Sequence, residues 1–192
     1  VIDAFARGPA VRQRAQDRLT LLLGDAMRVR LLDVGFSERR TEESPPIGLG
    51  VIEMVARAEA NNLAPGIEVH FPGGASEHIN FLQPVTRLDG TLVGHILVSF
   101  RASLFHDLIE NYNLPTGYAS LIYIAPDGAP FELAGKGDRV LKKSICSQPA
   151  MIEGTPLGIC YFTDKNGGVI ASSSVGKQVV LFVVYGVILF VL

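Results

Sequence analysis

The stretch that decides the fold is Gly90–Pro130, GTLVGHILVSFRASLFHDLIENYNLPTGYASLIYIAPDGAP. Its first part, Leu92 to Phe100, is a long apolar run in which Leu92, Ile96, Val98 and Phe100 fall on one face and Val93, His95 and Leu97 on the other. Alternation with both faces largely apolar predicts a strand covered on both sides. Leu104, Phe105, Leu108, Ile109 and Tyr112 then recur at helical spacing, and Tyr118 to Ala125 reads as a second strand. Each strand borders an Asp-Gly turn, Asp89-Gly90 before the first and Asp127-Gly128 after the second. Glycine there accepts positive φ without steric cost, so a hairpin is expected at Asp89-Gly90, with Ile79–Val85 as its other arm.

Working outward toward the N-terminus, Gly8-Pro9 marks a helix start, because proline at the first helical position gives up only an amide that would be unpaired. Val11, Ala15, Leu19, Leu22, Leu23 and Ala26 carry an amphipathic pattern to about Met27. Val29–Val34 is the first expected strand, and Phe36–Ser44 is a polar loop closed by Pro45-Pro46. A second amphipathic helix runs from Ile47 through Val51, Met54, Val55 and Ala58 to about Asn61, followed by a short strand at Glu68–Phe71. Toward the C-terminus two more strands are expected, near Val140–Cys146 and Leu157–Phe162.

The chain ends in VVLFVVYGVILFVL, Val179–Leu192, an uncharged run preceded by Lys177, which is placed to snorkel. Spanning a membrane takes about 20 apolar residues, so we expect the start of a transmembrane helix that continues past the last residue, with a buried terminal strand as the alternative. The first residue is Val1 and no signal-peptide pattern opens the chain, so both ends are expected to be cuts through a longer polypeptide. The expected organisation is an N-terminal amphipathic helix over 1–28, an extracytoplasmic domain over 29–168 and the truncated membrane helix over 169–192.

Of the 192 residues 48% are apolar and 19% charged, and the net charge is −2. No excess of Lys and Arg is available to neutralise phosphates, which argues against a nucleic-acid partner. The Arg-rich segment Arg7–Arg40 is interspersed with acids and reads as a solvated helix face or as a contact with lipid headgroups.

The order of elements is helix, strand, helix, then antiparallel strands with an inserted helix and a terminal apolar run. It resembles the Cache/PAS-type extracytoplasmic sensor architecture over about Val29–Thr163. That resemblance implies an α+β fold with a five-stranded antiparallel sheet, a long N-terminal helix and a small ligand bound between sheet and helices. A narrower resemblance is carried by MRVRLLDVG (Met27–Gly35), SPPIGLGVIEMVARAEA (Ser44–Ala60), EVHFPG (Glu68–Gly73), HINFLQPV (His78–Val85) and LVGHILVSF (Leu92–Phe100). These are similar to the N-terminal membrane region of long bacterial phosphomannomutase/phosphoglucomutase enzymes. It implies a domain facing the periplasm, tethered to the bacterial inner membrane, ahead of a cytoplasmic phosphohexomutase. None of that family's catalytic residues has a counterpart here, so the fragment itself is expected to be non-enzymatic. A histidine kinase, a diguanylate cyclase or a chemoreceptor is the alternative for the output part beyond Leu192.

Chemical constellations are sparse. Cys146 and Cys160 each lie seven residues from Glu153, so a symmetric turn would place them opposite one another on neighbouring strands. A disulfide, two buried thiols and a metal site are the readings open to them. His70, His78, His95 and His106 show no metal-ligand spacing, and no cofactor is expected. His78 and His95 lie on the two arms of the Asp89-Gly90 hairpin, within reach of one another if the register allows. Gly73-Gly74-Ala75-Ser76 and Gly135-Lys136-Gly137 fit no phosphate-binding pattern, and Asp127 and Glu132 are accounted for by a turn and the next strand. Small-ligand sites combine apolar walls with a few convergent polar groups, and Arg30, His78, Asn80, His95, Tyr118 and Tyr123 are the strand residues able to supply them. The expected partners are a small molecule and membrane lipid, with a homodimer formed through the N-terminal helix as the rival reading.

Overall fold

The computed structural model describes residues 2–61, 66–72, 74–110, 117–142, 146 and 148–163. The terminal apolar run Val179–Leu192 and the start of the expected membrane helix lie outside them. No helix among the described residues is long and apolar enough to cross a membrane. The chain divides into two units, 1–102 and 103–192, so the Gly90–Pro130 stretch crosses a boundary.

The first unit runs α1 (Ile2–Ala6), α2 (Pro9–Leu22), β1 (Ala26–Leu32), α3 (Leu49–Ala60), β2 (Gly66–His70), β3 (His78–Thr86) and β4 (Leu92–Arg101). Its four strands form an antiparallel sheet in the order β1-β4-β3-β2. The Asp89-Gly90 turn forms as expected, with Gly90 at φ 83° and Asp89 Oδ1 accepting from the Thr91 amide at 2.9 Å. Every residue from Gly94 to Phe100 is buried, in keeping with a strand covered on both faces. On one face Leu32, Leu82 and Leu97 pack against Val51, Met54, Val55 and Ala58 of α3, the apolar stripe expected of that helix. Each of these leucines, valines and the methionine, fully removed from water, contributes roughly 1.5–3 kcal/mol.

The second unit runs α4 (Ser103–Glu110), β5 (Tyr118–Ile124), β6 (Pro130–Gly137), a 3₁₀ turn (Arg139–Leu141), β7 (Ala150–Met151) and β8 (Leu157–Phe162). Its sheet is also four-stranded and antiparallel, ordered β6-β5-β8-β7. Among the described residues, the single five-stranded sheet expected from the sequence is therefore corrected to two sheets of four. The reason is that β4 uses both of its edges on β1 and β3, while β5 uses both of its edges on β6 and β8. Of the strand expected at Val140–Cys146, residues 143–145 lie outside the described residues, and its start at Val140–Leu141 is corrected. Asp138 accepts from the Val140 amide and closes a 3₁₀ turn over Arg139–Leu141, the local side-chain bond by which aspartate competes with a sheet ladder.

The N-terminal helix differs from its expected form. It ends at Leu22 rather than near Met27, and none of its residues is fully buried. Its inner side is half apolar, through Val11, Ala15 and Leu19, and half polar, through Arg12, Gln16 and Thr20. The polar half has a definite task, because β1 is an edge strand whose outward amides need partners. Thr20 Oγ1 accepts from the Val29 amide at 3.0 Å and Gln16 Oε1 accepts from the Leu31 amide at 2.7 Å. Arg12 holds both carboxylate oxygens of Asp33 at 2.8 Å. Helix positions spaced by four thus answer strand positions spaced by two, since four helical residues rise about 6.0 Å and two strand residues about 6.7 Å. Thr20→Val keeps the side-chain shape and deletes the acceptor. It is expected to cost about 1–2 kcal/mol in urea unfolding and to speed hydrogen exchange at the Val29 amide.

Candidate functional site

The register of the first sheet sets out which side chains share the face that α3 covers. Leu97 lies opposite both Arg30 and Leu82, and Ser99 opposite both Arg28 and Asn80, with Glu68 beyond Asn80. In the next row His78 lies opposite Arg101 and His70. Apolar rows under α3 therefore give way, along the same face, to polar rows drawn from all four strands.

These polar groups are buried and joined. Arg30, His78, Asn80 and Ser99 are 2%, 1%, 1% and 0% exposed. Arg30 Nε donates to Glu43 Oε2 at 2.7 Å, its Nη1 reaches Ser99 Oγ at 3.4 Å, and its Nη2 donates to the Pro45 carbonyl. Ser99 Oγ donates to Asn80 Oδ1 at 2.6 Å, leaving Asn80 Nδ2 at 3.3 Å from His78 Nε2. His78 Nδ1 lies 2.7 Å from the Ser76 carbonyl. A carbonyl only accepts, so Nδ1 carries the proton and Nε2 accepts from Asn80. The row is thus a one-way chain of donors from Arg30 through Ser99, Asn80 and His78 to Ser76.

Charge concentrates at the Arg30 end. Glu43 Oε2 also lies 3.5 Å from Arg28 Nη1, and Oε1 lies 3.7 Å from Arg40 Nη1. Burial pushes the Glu43 carboxyl up, but the hydrogen bond and charge of Arg30, with Arg28 and Arg40 behind it, outweigh this and hold it below its ordinary value. Burial also pulls the Arg30 guanidinium down against the opposing pull of Glu43; arginine stays charged regardless.

At the other end of the row the His70 and His78 rings stack at 5.4 Å. Burial, then repulsion from His78 when it is protonated and from Arg57, push the His70 imidazole down to about 4. An imidazole depressed in the folded state stabilises the protein above its unfolded value near 6.5, and that stability is lost as the pH falls toward 4. Stability is expected to drop by about 2 kcal/mol between pH 7 and pH 5 on this account. Urea titrations of His70→Gln should show a flatter pH profile. The comparison isolates the imidazole from Glu68, whose carboxyl burial pushes up and which acts in the opposite sense.

Of the residues singled out in the sequence, Arg30, His78 and Asn80 come together in this row. His95 shares the face but lies opposite Pro84 and Leu32, separated from the row by Leu97. Its Nε2 pairs with Glu59 Oε1 at 2.8 Å, an oxygen that also accepts from the Gly35 amide. His78 and His95 do not meet, because the hairpin register sets His78 opposite Arg101.

Tyr118 and Tyr123 belong to the second unit and point to opposite sides of β5, being an odd number of residues apart. Tyr118 Oη donates to Glu132 Oε1 at 2.9 Å, crossing β6 where Gly135 leaves room, since a Cβ there would collide with the hydroxyl. Ser120 and Lys142 donate to the other Glu132 oxygen. Burial, followed by the bond to Glu132, pushes the Tyr118 phenol up to about 12. Burial pushes the Glu132 carboxyl up, but its donors Lys142, Ser120 and Tyr118 hold it below its ordinary value.

Cys146 and Cys160 form a disulfide with Cα atoms 6.3 Å apart, packed beside Tyr118, Ile122 and Phe162. Cys146 does not stand directly opposite Cys160, because β7 reaches only from Ala150 to Met151. Among the described residues no group of three or more His, Cys, Asp or Glu side chains is placed to hold a metal ion.

Ser99, Glu43 and Lys142 do not stand out in the sequence as candidates, and Glu132 reads there only as part of a strand. Ser99 carries a faint signal, as the one hydroxyl in the apolar run LVGHILVSF. Glu43 carries none, being one acid among several in a polar loop.

No protein-family model and no curated protein matches the chain. Among solved structures it is similar to the extracellular domain of a protein assigned as a histidine kinase, rpHK1S-Z16, at 16% identity and a TM-score of 0.40. That likeness covers 72% of this chain and 62% of the other, so the chain spans less than two thirds of the length of the domain it matches.

Proposed function

We propose that the protein is a non-catalytic sensory or regulatory domain that binds a small polar molecule at the Arg30–Ser99–Asn80–His78 row. One observation carries this reading: a buried donor chain drawn from three strands of one sheet lies beside the apolar face under α3 and starts at an arginine cluster. Convergent polar groups next to apolar walls are the composition of small-ligand sites. The disulfide suits an oxidising compartment, and the apolar run Val179–Leu192 suits a membrane tether. Together they support a domain facing the periplasm from the bacterial inner membrane. Occupancy alters such a domain only through a difference in affinity between two conformations.

The experiment is a thermal-shift screen of polar metabolites against wild type and Ser99→Ala. A ligand at 100 times its Kd adds about 2.7 kcal/mol to the folded state, which reads as a shift of several degrees. The shift is expected in wild type and is reduced in Ser99→Ala. No hit across the panel, together with a stable dimer in light scattering, would replace this reading with that of a dimerisation anchor. The phosphomannomutase/phosphoglucomutase membrane region remains the finer form of the proposal. A phosphoserine loop encoded downstream of Leu192 supports it, and a kinase or cyclase core there rejects it.

A further inference from the structure

We infer that Glu43 is an intramolecular stand-in for the carboxylate of an acidic small-molecule ligand, which displaces it from the Arg28, Arg30 and Arg40 cluster. The inference rests on the ligand-site reading above and names the ligand's chemical class.

Three guanidinium groups lie within 4 Å of this one carboxylate, at 2.7, 3.5 and 3.7 Å. Arg30 and Arg28 come from the sheet, whereas Glu43 comes from a loop. Arg40 has a second carboxylate, Glu38, at 2.8 Å, so the cluster sets three cations against two acids. Arg30 is 3% exposed at its side chain and Glu43 17%, while Arg28 and Arg40 are each 36% exposed. The deep cation is thus part of the sheet, and its countercharge is brought in from the more open side.

The loop is hung in a way that allows exchange. The Arg40 and Ile47 amides and carbonyls bond one another at 3.0 Å in both directions, an isolated bridge that closes the neck of the segment 41–46. Ile47 is fully buried and anchors the neck. Glu43 projects from the lobe beyond it, which Arg30 also holds through the Pro45 carbonyl, so its carboxylate can swing out while the neck and Pro45 stay in place. Departure alone would strand a buried arginine, which is strongly unfavourable. An incoming carboxylate removes that penalty by taking the same donors, and the Ser99 hydroxyl beside Arg30 adds an adjustable polar contact. A tethered competitor acts at an effective concentration near the millimolar range, so the wild-type protein responds only to acids abundant enough or complementary enough to outcompete it.

The test compares wild type with Glu43→Gln, which keeps the side-chain shape and a hydrogen-bonding oxygen for Arg30. Unfolding is followed in urea with acetate, succinate, inorganic phosphate or chloride at equal ionic strength. Acetate and succinate are expected to stabilise Glu43→Gln beyond chloride, with an apparent Kd for succinate at least about tenfold lower than in wild type. A second readout uses the wild type alone, so it stands even if the variant does not fold. Succinate should speed tryptic cleavage at the Arg40–Thr41 bond, where the lobe begins, as Glu43 is released. Phosphate stabilising the variant while both carboxylates do not would overturn the assigned class, as would no carboxylate effect on unfolding of the folded variant, or none on cleavage. A neutral metabolite that stabilises wild type and loses its effect in Ser99→Ala, with carboxylates inert, would also overturn it while leaving the sensing role standing.

Discussion

Arg30→Met is expected to lower the unfolding free energy by about 3–5 kcal/mol, the range for removing one partner of a buried ion pair. The substitution deletes the donor to Glu43, to Ser99 and to the Pro45 carbonyl at once. It leaves a carboxylate that is only 17% exposed at its side chain without its nearest cation. Methionine fills much of the same volume, so the loss is chiefly electrostatic rather than a cavity. Arg28→Met provides the contrast. Its side chain is 36% exposed and its contact with Glu43 is longer, so about 0–1 kcal/mol is expected. Pairing Arg30→Met with Glu43→Leu should recover part of the loss, because no charge is then left buried alone. Urea denaturation of the three variants checks the series, and a loss in Arg30→Met no larger than in Arg28→Met would show that the row is not electrostatically organised.

Removing the Cys146–Cys160 disulfide by paired alanine substitution is expected to cost about 3 kcal/mol. The bridge spans a sequence separation of 14 residues, and closing a loop of about this length restricts the unfolded chain by that amount in the loop-entropy account. Both cysteines are buried, beside Tyr118, Ile122 and Phe162. Loss of the bridge should therefore loosen the second unit in particular, seen as faster hydrogen exchange at β8 amides. Mass spectrometry of the unreduced protein should find neither thiol free, and two free thiols would remove the basis of this prediction.

The elements legible in the sequence are those whose signals are local. Asp89-Gly90 marks its hairpin because only a small range of residues accepts the φ the turn needs, and Val51, Met54, Val55 and Ala58 mark α3 through helical spacing. Strand partnership is not local. Nothing within Leu92–Phe100 or Tyr118–Ile124 tells that each spends both edges on its own set of neighbours, and so the division into two sheets is not legible there. The N-terminal helix misleads for a related reason. Its apolar positions read as a buried stripe, whereas Gln16 and Thr20 beside them serve the edge amides of β1, a role visible only once β1 is seen to be an edge.

The candidate site divides the same way. Arg30, His78 and Asn80 stand out because a charged or polar residue inside an apolar strand needs a partner on folding. Their link through Ser99 depends on register, and the closing of the cluster by Glu43 depends on how a polar loop of 36–48 folds back. His95 stands out on the same grounds and finds its partner in Glu59, away from the row. Tyr118 likewise finds Glu132.

The most direct test of the ligand-site reading is an amide chemical-shift map of the protein with the ligand recovered from the thermal-shift screen, or with succinate if the acid class holds. The reading predicts saturable shifts centred on residues 28–30, 43–47, 78–80 and 97–99, reduced in Ser99→Ala. Saturable shifts confined to the second unit, or to residues remote from this row, would contradict it.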